Sequence, residues 1–404
     1  MQGVLRRTIS EITTLVILAA VSPAAVTTEA AAAQRHGEPM RQVVAGDTFT
    51  CGLSGTETYC WGAKFHGQLG TGGSEEQKTS TPVRVRSPRG VVFTELVAGS
   101  FHTCGISAAA AFCWGLNTYG ELGEGGTTDQ ATPARVQAPP GVVFTQLAAG
   151  DFHTCGISAA GTYCWGQNTY AALGDGGVAD RTTPVRVRTP PGVVFTRLAA
   201  GGSHTCGISD AGTYCWGSGT DGQLGDGGTA DRRTPVRVRA PRGVAFTQLT
   251  AGILVTCGIS GAATYCWGAN HLGQLGIGGT ADRRTPVRVR VPRGVAFTRI
   301  TAGASYVCGI SGARTFCWGD NSHGQLGDGG TAGRATPGLV QAPPGVAFTR
   351  LAAGWEHTCG ISGARTFCWG WNVNGQLGDG GTTDRTRPVE VVFRRAAGIP
   401  ATGR

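Results

Sequence analysis

The sequence predicts an all-β fold, a seven-bladed β-propeller of four-stranded blades with one disulfide in each blade. Three observations point there. One phrase recurs seven times, with its first cysteines at Cys51, Cys104, Cys155, Cys206, Cys257, Cys308 and Cys359. Each copy holds four short apolar or β-branched runs bounded by glycine, proline and aspartate, which are strand signals, and no run of helical period. All 14 cysteines fall into equally spaced pairs.

The fourth copy shows the unit cleanly. It reads Phe195-Thr196-Arg197-Leu198-Ala199-Ala200-Gly201, then His204-Thr205-Cys206-Gly207-Ile208-Ser209, then Thr213-Tyr214-Cys215-Trp216-Gly217, Gly222-Gln223-Leu224-Gly225 and Thr234-Pro235-Val236-Arg237-Val238. The 68 glycines sit at fixed places in this phrase, so they mark repetition and not low complexity. Periods of this length indicate stacked or ring-closed units that share one core. Four strands per unit in seven units describe propeller blades. An open solenoid would need polar outer faces on its end units, whereas the first copy, from Met40, and the last, closing at Pro388-Val389-Glu390-Val391, are as apolar as the rest. Ring closure is therefore expected. Phe144, Phe195, Phe246, Phe297, Phe348 and the seven tryptophans from Trp61 to Trp369 recur at fixed offsets, the pattern of packing between neighbouring blades.

The cysteine pairs are Cys51 with Cys60, Cys104 with Cys113, Cys155 with Cys164, Cys206 with Cys215, Cys257 with Cys266, Cys308 with Cys317 and Cys359 with Cys368. In copy four, pairing Cys206 with Cys215 also pairs Ser209 with Gly212 and leaves Asp210-Ala211 as a two-residue hairpin loop. The cysteines then occupy a non-hydrogen-bonded position, where α-carbons approach most closely. Structural zinc needs four ligands at tighter spacing. His102, His153, His204 and His357 precede a first cysteine by two, but Phe49, Val255 and Tyr306 hold that place elsewhere, so it reads as a packing position.

Residues 1–33 read as a secretory signal peptide. Arg6 and Arg7 precede the apolar run Leu15 to Val21, and Ala30 to Ala33 offer small-residue cleavage sites. Pro23 and Thr27 to Glu29 end the run too early for a membrane span. The propeller is expected over 40–393 and a flexible tail over 394–404. Paired cysteines and a leader agree on an oxidising compartment, so the mature chain is expected to be secreted or periplasmic.

The phrases Leu-Ala-Ala-Gly, His-Thr-Cys-Gly-Ile, Tyr-Cys-Trp-Gly and Gly-Gln-Leu-Gly resemble the regulator of chromosome condensation (RCC1) repeat, in a variant carrying cysteines. The resemblance runs from about Met40 to Val391. It implies a seven-bladed propeller whose ring is closed by strands from both termini, with Gln42 to Ala45 and Val389 to Val392 as the candidates. The family's eponymous member is a nuclear nucleotide-exchange factor that binds chromatin through a protruding element and a basic tail, and neither shows in this sequence. Other relatives are exported bacterial propellers, one of which inhibits a β-lactamase through its loop face.

No recurring Ser/His/Asp set or phosphate-binding loop is present, so the expected function is a non-enzymatic binding scaffold without a cofactor, acting as a monomer on a protein partner. Two alternatives are a nucleotide-exchange factor and a hydrolase or lyase with a central-channel site. An enzyme predicts non-repeated polar residues converging on one end of the channel; a binder predicts apolar and aromatic variety over a face. Residues that break the repeat are the place to look: Ile253-Leu254-Val255, and Trp355, Glu356 and Trp371 as a possible partner surface, since tryptophan is enriched at binding hot spots. Asp175, Asp226, Asp328 and Asp379 share one loop position and could suggest calcium, but Thr71 and Ile277 replace them in other copies, which fits turn residues. The net charge of +9 is carried by arginine; only Lys64 and Lys78 are lysines. Alternation places Arg84/Arg86, Arg186/Arg188, Arg237/Arg239 and Arg288/Arg290 outward. They form a belt that protects sheet edges or meets an anionic polymer or surface.

Overall fold

The computed structural model describes residues 39–73, 77–108 and 110–393. The expected signal peptide and the tail from 394 lie outside the described residues. Over the described residues the chain forms 28 strands, β1–β28 in chain order, grouped four by four into seven antiparallel sheets. The first blade is β1 (Met40–Ala45), β2 (Phe49–Ser54), β3 (Glu57–Ala63) and β4 (Lys78–Arg84). The last is β25 (Arg350–Ala353), β26 (His357–Ser362), β27 (Arg365–Gly370) and β28 (Arg385–Glu390).

Within each blade the second and third strands form a tight hairpin. In blade four Cys206 faces Cys215, Ile208 faces Thr213 and Ser209 faces Gly212, the register expected from the sequence. After the hairpin every third strand carries a β-bulge, in blade four between Cys215 and Gly217. Gly217 holds φ +98°, and a Cβ there would lie 2.5 Å from the Ser203 carbonyl oxygen. Only glycine fits that conformation and that approach.

Neighbouring blades are joined by side chains. Trp267 Nε1 and Thr256 Oγ1 both donate to the Gln223 carbonyl of the preceding blade, at 2.9 Å each. Trp216 repeats the tryptophan bond on Ala172 and Trp318 on Gln274. Each core cluster therefore places one blade's disulfide against the next blade's tryptophan, as Cys206, Cys215, Leu224 and Phe246 pack with Trp267. The recurring aromatics do pack between blades, and the indole N–H adds a hydrogen bond that buried tryptophan needs.

Ring closure uses the same joint. Trp61 Nε1 and Thr50 Oγ1 donate to the Gln376 carbonyl, and Met40 and Val43 share a core cluster with Val391, Cys359 and Cys368. Strands from both ends thus meet at the closure, but they do not share a sheet. β1 pairs only with β2, and β28 only with β27. Each blade is one contiguous stretch of chain, because every copy supplies its own four strands.

Candidate binding face

All seven expected disulfides are formed. Cys51 is bonded to Cys60, Cys104 to Cys113, Cys155 to Cys164 and Cys206 to Cys215. Cys257 is bonded to Cys266, Cys308 to Cys317 and Cys359 to Cys368. Their Cα–Cα distances are 4.0–4.1 Å, and no described cysteine is free. Every cysteine is fully buried, so these residues serve the scaffold and none is presented to a ligand. They hold the hairpin of each blade, while the loops at the hairpin's open end vary.

Because the strands run up and down in order, the first–second and third–fourth strand loops of every blade emerge on one face. The ends of the seven innermost strands frame a channel mouth of about 180 Å³ there. Its rim is set by the Ala-Gly step that closes each inner strand. A Cβ on Gly201 would lie 2.3 Å from the Gly252 carbonyl and 2.4 Å from the His204 ring, so glycine lets adjacent blades close up. The residue after each Gly turns into the mouth: Asp47, Ser100, Asp151, Gly202, Ile253, Ala304 and Trp355. Copies that are otherwise near-identical differ most here.

The mouth is two-sided. Asp47, Ser100 and Asp151 come from blades one to three, whereas Ile253, Ala304 and Trp355 come from blades five to seven. Desolvation by burial, with the Asp151 charge adding to it, pushes the Asp47 carboxyl up to about 8. Burial pushes Asp151 up to about 6. The nearby Ser100 hydroxyl favours both charged forms slightly, yet its buried Oγ makes no hydrogen bond of ordinary length and angle. These three were not singled out from the sequence, because they lie about 50 residues apart and only the ring brings them together. The signal that finds them is the residue following each Ala-Gly, compared across copies.

Trp355 lies at this mouth, 37% exposed. Glu356 is half-buried beside it, with the His323 Nε2 at 3.2 Å, while His323 Nδ1 meets Asp384 at 2.9 Å. Trp371 is half-buried with its ring 5.7 Å from that of His323. The expected partner residues therefore converge on one sector, through a histidine that was not singled out. Ile253 and Leu254 are half-buried, but Val255 is fully buried. That corrects its place among the loop residues: its position is the inner packing site where His102, His153, His204 and His357 sit in other blades. Phe65, Tyr170, Leu272 and Val373 are exposed in the third–fourth strand loops of the same face.

The aspartates of the Gly-Asp-Gly-Gly loops are engaged internally. Asp175 Oδ1 accepts from Gly177 N and Asn168 Nδ2, and its Oδ2 accepts twice from Arg181. Asp226 repeats this with Gly228 and Arg232. Elsewhere on the face Asp221, His271 and Asp282 bring ligand atoms within 4.8 Å of one another, although Asp282 already accepts from Asn270 N. Along the perimeter, Arg186, Arg188, Arg237, Arg239, Arg288 and Arg290 are exposed while Val187, Val238 and Val289 are buried. Outward arginines on outermost strands leave those edges unattractive to a further strand.

The geometry is that of a disulfide-stapled propeller with seven equivalent joints and one asymmetric mouth. The model of the regulator of chromosome condensation (RCC1) repeat matches residues 57–106, 110–157, 161–208, 210–259, 263–310, 313–361 and 364–399. The chain belongs to the RCC1 repeat family. It is 31% identical over 343 residues to the ultraviolet-B receptor UVR8 of Arabidopsis thaliana, covering 83% of this chain and 78% of the receptor. It is 30% identical over 309 residues to the human E3 ubiquitin-protein ligase HERC2, covering 74% of this chain but 6% of the ligase. Among solved structures, human WBSCR16 superposes with a TM-score of 0.74 at 21% identity, covering 83% of this chain and 95% of that one. Prp20p of Saccharomyces cerevisiae, whose binding to Gsp1p and histones has been characterised, superposes with a TM-score of 0.73 at 21% identity, covering 88% of each chain.

Proposed function

We propose that this chain is an exported, non-enzymatic scaffold that binds a protein partner through the loop face around the channel mouth. One observation carries the reading: seven copies held to the same joints differ where they meet the mouth, and that variety is apolar and aromatic on one half. Exposed Trp355, Phe65, Tyr170 and Leu272 on a single face supply the large rigid contacts that dominate binding energy. Protein binding by Prp20p fits the same use of the fold. Export draws on the leader-like residues 1–33 and on the pairing of every described cysteine, which suits an oxidising compartment. In this reading the arginine belt guards sheet edges and the propeller works as a monomer.

The test is affinity capture from the extracellular fraction, comparing the mature chain with a Trp355→Ala/Glu356→Lys/Trp371→Ala variant. A partner retained by the first and lost by the second, with the urea-denaturation midpoint unchanged, supports the face. A partner captured equally by both places binding elsewhere. Intact mass under non-reducing alkylation tests export: loss of the leader and no alkylated cysteine are expected, and free thiols with the leader intact would end the exported reading.

A channel-mouth enzyme has one observation in its favour, the non-repeated polar set Asp47, Ser100 and Asp151. Against it, the four inner histidines bond threonines of the next blade through Nε2, His153 to Thr205 at 2.9 Å for example, and burial holds all four well below the usual imidazole range, which makes them poor bases.

A further inference from the structure

We propose that the channel mouth is a receptor for a single alkylammonium group, of a lysine side chain or a free amine, held by Asp47 and Asp151 and backed by Trp355. The inference rests on reading this face as a binding surface, and it names the chemistry bound there.

Size, charge and polarity agree on such a guest. A mouth of about 180 Å³ takes one side chain and not an element of structure. Asp47 and Asp151 approach from one side, and no arginine or lysine lines the mouth among the described residues. Burial raises both carboxyls, Asp47 to about 8 and Asp151 to about 6, and the Asp151 charge adds to the rise at Asp47, so the pair holds less than two full charges near neutral pH. A monovalent cation between them would relieve that repulsion. Glu356 is the further acid whose field reaches Asp47.

Ser100, between the two aspartates in blade order, is only 3% exposed and lies against both carboxyls, with no hydrogen bond of ordinary length and angle to either. An ammonium carries three donors, enough for the hydroxyl oxygen and both carboxylates. The opposite wall is apolar. Ile253, Ala304 and Trp355 would pack the methylene stem, and the indole face attracts a cation directly. Gly202 keeps the space between open, since a Cβ there would lie 3.0 Å from Asp151 Oδ2 and 3.1 Å from Ile253 Cγ2. A calcium ion would want six to eight oxygens and would gain nothing from the apolar wall.

The experiment is titration calorimetry on the intact, disulfide-bonded chain near neutral pH. The probes are Nα-acetyl-lysine methylamide, its Nε-acetylated neutral analogue, n-butylamine, and calcium chloride. The lysine probe is expected to bind and the acetylated one not to. Asp151→Asn should weaken the lysine probe about tenfold or more, and Trp355→Ala severalfold. A lysine probe tighter than n-butylamine assigns the guest to a polypeptide, and equal affinities assign it to a free amine; both support the site. Equal binding of the acetylated analogue, which needs no variant, overturns the proposal. So does calcium binding that is indifferent to Trp355→Ala, or no heat with any amine at tens of millimolar. If a captured partner depends on Trp371 and Glu356 but not on Asp151, the scaffold stands and this inference falls. Amine binding with no partner lost from the triple variant gives the reverse.

Discussion

Glu121 shows how one atom's charge state matters inside a repeat. Gln68, Gln223, Gln274, Gln325 and Gln376 hold its place in other blades, each accepting a backbone N–H through Oε1, as from His66 N at 2.9 Å. Glu121 accepts likewise from Tyr119 N, but it is fully buried and its Oε1 has no partner. Burial pushes its carboxyl up to about 7. A raised carboxyl lowers stability as pH climbs from its unfolded value through 7, because the unfolded chain ionises first. Glu121→Gln keeps the acceptor and removes the charge. It should stabilise the fold by about 1–3 kcal/mol at pH 8 and hardly at all at pH 4, read from urea midpoints. The inner ring allows a second test. His204 pairs with Thr256 at 2.8 Å, whereas the next joint replaces both partners with Val255 and Val307, each fully buried. Val255→His alone should cost about 1–3 kcal/mol for an unpaired imidazole. Adding Val307→Thr should recover part of it, as a double-mutant cycle would show.

The blade is the element whose register was legible in the sequence. Two cysteines, a short turn and the period of two were enough to pair Cys206 with Cys215 and Ser209 with Gly212, because a hairpin is a local object. The joint between blades was less legible. The tryptophans announced contact, but their acceptor is a backbone carbonyl 44 residues away, which no residue type encodes. The mouth was legible only in part. Trp355 stood out as an aromatic, while Asp47 and Asp151 were not singled out, because only the converging inner strands bring them to one mouth. The blade also bounds what a disulfide can do. Removing one by Cys206→Ala/Cys215→Ala closes no other loop, so a loss of about 2–3 kcal/mol is expected. Hydrogen exchange should quicken in 204–217 and stay unchanged in blades one and seven.

At the scale of the whole ring, buried titrating groups of both signs shape the response to pH. Asp47, Glu121 and Asp151 are raised to about 8, 7 and 6. His102, His204 and His357 are lowered to about 3, and His153 to about 4, by burial. As pH falls from 9 towards 6.5 the folded acids take up protons that the unfolded chain does not, so stability rises. Below 6.5 the unfolded histidines protonate while the folded ones stay neutral, which opposes the acids and flattens the curve. Near pH 4 the unfolded acids protonate too, leaving the histidines unopposed. Denaturation midpoints should therefore climb from pH 9 to 6.5, level off, and fall steeply between about 4.5 and 3. A monotonic rise of stability up to pH 9 would contradict the burial of these groups. Ring closure was legible in outline: strands near both ends meet there, as expected, each within its own blade because every copy supplies all four of its strands.

Contiguous blades have a consequence for the fate of a cut chain. Every disulfide links partners nine residues apart within one hairpin, so no covalent bond spans two blades except the main chain itself. The connections between blades carry exposed arginines, Arg242 and Arg293 among them. A single tryptic cleavage at Arg242 should leave a ring still held by its tryptophan joints, eluting as an intact particle under native conditions. On a non-reducing denaturing gel the same sample should fall into two fragments. A nick between Asp210 and Ala211 should instead run as one chain until a reductant is added.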